Sequence, residues 1–382
     1  MRWIVCALAT IAVVIPPAAA CTFCGGGLTT RQTLREHFKR ANYVAHGKLA
    51  NPRFDPDGGG GTTELRIGKV LKPDAAIGNR AVVVLPRYLP VIGDTPTEYL
   101  AFCATEGGKP DPIYGVPATA AVTEYLLGAS KLDEKNAVAR LGYFFKHLDS
   151  ADQAVSADAF LEFGKASDAD IVKARSVLDP TKVRKLFTSP ATPPERLGVF
   201  ALLLGLCGDK TDADLLAGLV TRQPTQERVR ENLGGMLAAL TLLDEARGWA
   251  SAEAVLADSK RPFDQRLAAI GTVQFFQATR PASKPQVLRC YRTLLAAGDL
   301  ADMAADDLRR WGWWDLTPEV LKHFDAPSHS APVVRRGIVR YALQCPTEET
   351  KQFVAAVRQS DPMLVERVEE SLKAYSPANS KK

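Results

Sequence analysis

The sequence predicts an α+β chain: a small N-terminal β-barrel followed by an all-α array of stacked helix pairs, an α-solenoid. Two observations carry this. From Pro193 to Phe276 an amphipathic helical unit recurs, and from Asn42 to Cys103 short extended runs alternate with clusters of turn-forming residues. The helical units place Leu197, Phe200, Ala201 and Leu204 on one face, then Leu233, Met236, Leu237 and Leu240, then Ala269, Val273 and Phe276. Those are the spacings of one apolar stripe on a helix of 3.6 residues per turn. Arg196, Arg228 and Arg266 stand at similar places near the starts of these units, and Arg336 returns the pattern. A period of roughly 35 residues belongs to arrays of paired helices, each pair covering a stripe that its neighbour cannot bury alone.

Taken in order, residues 1–20 give a positive start at Arg2, an apolar segment from Trp3 to Ile15 and a small-residue exit, Ala18-Ala19-Ala20. This is the layout of a secretory signal peptide, too short to span a bilayer comfortably. The mature chain is expected to be exported, to the periplasm or the cell exterior. Residues 21–117 are assigned to the barrel. A short helix over 29–41, capped by Thr29 or Thr30, precedes strands at 42–49, 62–71, 80–86 and 98–103. The turn-formers between them include Asn51-Pro52 and Gly58 to Gly61, and the Pro- and Gly-rich stretch from Gly107 to Pro117 is expected to be the connection onward. Residues 118–376 then read as helix almost throughout, and 377–382 as a frayed tail.

Composition limits the function. At 46% hydrophobic and 24% charged the chain is ordinary globular protein, and a formal net charge of +5 over 382 residues is no nucleic-acid signature. No Gly-x-Ser-x-Gly elbow, His-Glu-x-x-His pair or phosphate-binding loop occurs. No cofactor is expected, and the chain is read as a non-enzyme. Adjacent acidic pairs such as Asp306-Asp307 point different ways from a helix and suit solvated faces better than acid/base work.

Cysteines carry the most chemistry. Without Cys6 of the leader there remain Cys21, Cys24, Cys103, Cys207, Cys290 and Cys345. Export favours bridging. Cys24 and Cys103 lie at opposite ends of the small domain, and joining them is worth about 4–4.5 kcal/mol in the chain-entropy account; Cys21 is the rival partner for Cys103. Cys207, Cys290 and Cys345 sit in apolar helical surroundings, as buried core thiols do. A metal reading at Cys21, Cys24 and His37 has a finger-like gap, but His46 follows too far on. Trp311, Trp313 and Trp314 are either partner-binding aromatics or wedges between helices at a turn, with the packing role favoured.

Several of these stretches resemble known families. PPERLGVFALLLGLCGDKTDADLLAGLV resembles the HEAT-type repeat, with its proline-plus-arginine opening and Gly-Asp turn. Cys-x-x-Cys followed by NYVAHGKL, ELRIGKVLKP and EYLAFC is similar to netrin-like modules, among them the tissue inhibitors of metalloproteinases, which implies an OB-type barrel. AAAC resembles the lipobox of bacterial lipoproteins, which implies a lipid on Cys21 as a membrane anchor. The whole layout resembles exported bacterial proteins. The expectation is therefore a non-enzymatic scaffold that presents its solenoid surface to a protein partner. The alternatives are a netrin-like inhibitor, whose free Cys21 amine and carbonyl would meet a protease metal as that resemblance implies, and an enzyme without a recognisable motif.

Overall fold

The computed structural model describes residues 21–23, 30–56, 60–91, 97–221 and 227–374. The leader at 1–20, Cys24 and the tail at 377–382 lie outside the described residues. A five-stranded antiparallel sheet is followed by a long run of helices.

The first helix, α1 (Leu34–Arg40), begins later than the sequence suggests. Thr33 caps it, because Glu36 stands at the third helical position and completes a reciprocal capping box. Its far end is held from the sheet, where the Lys72 ammonium donates to the carbonyls of Phe38 (3.0 Å), Lys39 (3.2 Å) and Ala41 (2.5 Å). A cation there satisfies the last carbonyls and opposes the helix dipole.

The strands are β1 (Tyr43–Asp55), β2 (Gly60–Lys72), β3 (Val82–Leu85), β4 (Glu98–Glu106) and β5 (Lys109–Pro117), in the order β3-β2-β1-β4-β5. The expected closed or half-closed barrel is an open sheet: β3 and β5 approach each other, but no ladder joins these edges among the described residues. The segment expected as a connection is β5 itself. Gly107 and Gly108 both have positive φ, at 55° and 73°, which a tight two-residue hairpin turn requires. Pro110, Pro112 and Pro117 lack ladder donors, and an edge strand tolerates that.

Both faces of the central strands are buried. Val44, Leu100 and Phe102 point to the helices, while Tyr43, Ala45, Ala101 and Cys103 point into the curl of the sheet with Leu65, Val83 and Leu85. The alternation is the period-two pattern of a strand with a core on each side.

The helices are α2 (Ala120–Ala129), α3 (Ala137–His147), α4 (Gln153–Gly164), α5 (Asp168–Lys173), α6 (Pro180–Thr188), α7 (Leu197–Cys207), α8 (Lys210–Thr221), α9 (Glu227–Arg230), α10 (Leu233–Leu243), α11 (Glu245–Ala257) and α12 (Phe263–Thr279). There follow α13 (Lys284–Ala296), α14 (Ala301–Trp311), α15 (Thr317–Lys322), α16 (Pro332–Gln344), α17 (Glu348–Ser360) and α18 (Pro362–Ala374). Helices α7, α10 and α12 pack side by side, with α8 and α11 behind them. Polar ties recur one repeat apart: Asn232 Oδ1 accepts from Gly198 N–H at a separation of 34 residues, Thr272 donates to Gly234 O at 38, and Arg266 pairs with Asp299 at 33. None of the described helices is long and apolar enough to cross a membrane.

The sheet and the helices are joined by a buried polar cluster. Arg35 makes a two-pronged contact with Glu162 at 3.1 and 2.8 Å. Asp158 accepts from Leu34 N–H at 2.7 Å and from the Tyr125 hydroxyl at 2.8 Å.

Candidate functional site

Residues 21–23 lie over the strip along α7, α10 and α12. Thr22 donates its N–H (3.0 Å) and its hydroxyl (2.5 Å) to the carboxylate of Asp168, which opens α5. The Phe23 ring lies 5.4 Å from that of Phe275. Glycines one repeat apart make room for it: a Cβ on Gly198 would stand 3.0 Å from Phe23 O, and one on Gly234 3.3 Å from the Phe23 ring. Burial is the largest influence on Asp168 and raises its carboxyl above the usual range, against the two Thr22 hydrogen bonds. Helix α5 packs on α12 as well, closing more of the same strip.

Beyond α5 the strip stays open. There a cavity of about 510 Å³ lies between the 3₁₀ turn Ala174–Val177, the α7–α8 turn, the α10–α11 turn and the end of α12. This is within the roughly 300–1,000 Å³ of small-molecule sites. Its apolar wall includes Val172, Leu206, Leu242 and Leu243, and its charged lining is Arg175, Asp209, Lys210, Asp244 and Arg280.

The two carboxylates are already committed. Asp209 caps α8, accepting from Asp212 N–H while Asp212 accepts from Asp209 N–H. Both face Arg184, whose guanidinium lies 3.2 Å from Asp209 and 2.6 Å from Asp212. Asp244 caps α11, accepting from the Arg247 backbone N–H at 3.1 Å and the Arg247 Nε at 2.7 Å, and these hydrogen bonds hold its carboxyl below the usual range. The cations have no such commitments. Arg175, Lys210 and Arg280 form no ion pair within 4 Å among the described residues, although Lys210 is near enough to Asp244 to help hold its carboxyl down, and Arg280 rests on the Phe276 ring at 5.5 Å. Three cations outside any close ion pair, over an apolar wall, suit an anion with several charges.

The residues singled out in the sequence fall elsewhere. Cys103 is a buried free thiol, so neither the Cys24–Cys103 pairing nor its Cys21–Cys103 rival forms. The reason is register: Cys103 pairs with Tyr43 and Pro112 and points into the curl of the sheet, whereas residues 21–23 lie on the helices. Cys21 is buried and disulfide-bonded. Burial takes Cys21 out of reach of a partner's metal, which corrects the inhibitor reading. His37 stacks on the Tyr114 ring at 3.6 Å. Among the described residues no three His, Cys, Asp or Glu side chains converge as metal ligands. Trp311 packs on Tyr291 (5.0 Å) and Trp313 (5.2 Å), and Trp314 on Tyr341 (5.1 Å), all half-buried between helices.

The cavity escaped the sequence reading, although a signal was present: Arg175, Asp209, Asp244 and Arg280 recur about one repeat apart, each at a turn between helices.

No family model matches the chain, and no curated protein matches it. Among solved structures it is similar to human deoxyhypusine hydroxylase in complex with glycerol, at a TM-score of 0.28 and 14% identity over 63% of this chain and 93% of that one. A TM-score of that size carries no activity over to this chain. The expectation of a scaffold presenting its helical surface to a protein is corrected on geometry: residues 21–23 and α5 lie over part of the α7, α10 and α12 face.

Proposed function

We propose that the protein binds a small polyanionic ligand in the cavity lined by Arg175, Lys210 and Arg280, and that it does so as an exported HEAT-like solenoid with an OB-like sheet at its N-terminal end. One observation carries the binding reading: Arg175, Lys210 and Arg280 share a cavity and form no ion pair within 4 Å among the described residues, while its carboxylates Asp209 and Asp244 are held by Arg184 and Arg247. The recurrence of polar ties at repeat spacing supports the solenoid, and the order of Arg2, the Trp3–Ile15 segment and the alanine exit supports export. Burial pushes Cys207, beside the cavity, up to about 11 and Cys290 up to about 12, far from a reactive thiolate.

Calorimetric titration with pyrophosphate and with citrate, as probes of the polyanion class, tests the reading. The wild-type protein should bind at least one of them, and Arg280→Gln and Arg175→Gln should each weaken that binding about tenfold, as loss of a charge-assisted contact does. Failure of both probes, or unchanged binding in both variants, would sink the proposal.

A further inference from the structure

At the opposite end of α7 from the proposed polyanion site lies a second cavity, of about 280 Å³. It is bounded by the α3–α4 turn, α4, the end of α6, the loop from Ser189 to Pro193 and the start of α7. Leu148, Leu186, Pro193 and Phe200 give it an apolar floor, and Arg196 stands on its wall. The two cavities share no lining residue.

Arg196 occupies the place in its repeat that Arg228 and Arg266 occupy in theirs, yet its surroundings differ. Arg266 meets Asp299 at 2.6 Å, and Arg228 donates to two backbone carbonyls, Ser189 at 2.8 Å and Pro190 at 3.2 Å. Arg196 has neither kind of acceptor among the described residues. It donates to Ser156 Oγ at 2.8 Å and lies over the Phe160 ring at 5.1 Å. The Ser156 hydroxyl donates in turn to Leu148 O at 2.7 Å, which fixes its oxygen as the acceptor. Most of the five N–H donors of the guanidinium are left for another acceptor. Burial is the largest influence on Arg196 and draws its pKa below the ordinary arginine value, with Glu195 pulling the other way. A half-buried cation in that state gains from an anion brought beside it.

The remaining polar groups of the cavity suit an anion too. Ser150 accepts from Asp152 N–H and Ser189 from Ala191 N–H, both at 3.2 Å, which leaves each hydroxyl its own proton to donate. Lys185 is exposed at the rim and forms no ion pair within 4 Å among the described residues. The carboxylate of the lining, Asp149, is held by Lys182.

We propose that this cavity binds a compact organic carboxylate with an apolar body, such as a branched short-chain acid. The carboxylate pairs with Arg196, whose planar fork matches two oxygens, and the hydrocarbon end rests on Leu148, Leu186 and Phe200. An inorganic anion would leave that floor without a partner, and the volume, at the low end of small-molecule sites, keeps the ligand small. This site stands or falls apart from the polyanion reading, since neither its residues nor its ligand are shared.

Calorimetric titration of the full-length protein with isovalerate, with its neutral amide and with inorganic phosphate decides it. Isovalerate should bind. The amide and phosphate should each bind at least about tenfold more weakly, because one lacks the charge and the other the hydrocarbon. Arg196→Gln should weaken isovalerate about tenfold, and Arg196→Lys, which keeps the charge without the fork, should fall between. Unchanged thermal unfolding shows that the variants fold, and the comparison of acid with amide needs no variant. Absence of isovalerate binding overturns the inference, as does equal binding of acid and amide or an unaffected Arg196→Gln protein. Phosphate bound as tightly as isovalerate would also overturn it, by making the cavity a site for any oxyanion.

Discussion

A buried carboxylate, Asp158, ties α1 to the helices that follow the sheet. Asp158 is nearly buried, and burial is the largest influence on it, pushing its carboxyl up to about 7. The hydrogen bonds from Leu34 N–H and the Tyr125 hydroxyl pull the other way, as does Arg35, while Glu162 adds to the rise. The folded chain therefore binds this proton more tightly than the unfolded chain, where an aspartate titrates near 3.9. The stability contributed by the protonated form is complete below that value and is lost as pH rises through about 7. Asp158→Asn keeps an oxygen for Leu34 N–H and offers an amide to the Tyr125 oxygen, without the charge. Urea unfolding at a series of pH values should show the wild type losing stability relative to the variant between about pH 4 and pH 7, by a few kcal/mol at ~1.4 kcal/mol per unit. Parallel profiles for the two proteins would show that Asp158 is not the group responsible.

At the scale of elements, local pattern carries furthest where an element answers to its own residues. Leu65 with Ile67 and the run Val82 to Val84 are legible as strands because side-chain alternation is written in sequence. Strand β5 is hidden by three prolines, which read as a linker until its edge position explains them. The contact of residues 21–23 with the helices has no local pattern, since Thr22 and Asp168 are 146 residues apart. The cavity is hidden for a related reason: its charged residues become neighbours only when the repeats stack. The segment at 21–23 nevertheless has measurable weight. Phe23→Ala removes a half-buried ring from Phe275, Gly198 and Gly234 and should cost about 2 kcal/mol, roughly half the toll of deleting a fully buried phenylalanine. Hydrogen exchange at Thr22 N–H should accelerate in the variant while α17 and α18 stay protected. An unchanged rate at Thr22 would mean that Asp168, and not the ring, holds the segment.

For the whole molecule the decisive fact is that one core runs nearly end to end. It takes in Cys21, Val44 and Phe102, continues through Leu204, Leu237 and Phe276, and reaches Val368 without interruption. The apolar stripes of the repeats were readable in sequence because each helix must turn one face inward. Which neighbour covers each stripe was not, because that depends on contacts one repeat away. A break in the array should therefore damage far more than the residues removed. Ending the chain at Asp258 deletes α12, and with it Phe276, whose ring lies 5.0 Å from buried Trp249, and Phe275, on which Phe23 rests. It also strips α10 of the partner that covers Gly234 and accepts its packing. Each large side chain so exposed costs on the order of 1.5–3 kcal/mol, and a few of them match the whole stability of an ordinary domain. The fragment should aggregate or bind a hydrophobic dye, and it should show no cooperative melting. A soluble, monomeric fragment with a sharp unfolding transition would mean that the repeats up to Asp258 form a unit of their own, and that the continuous core is a convenience of packing rather than a requirement for folding.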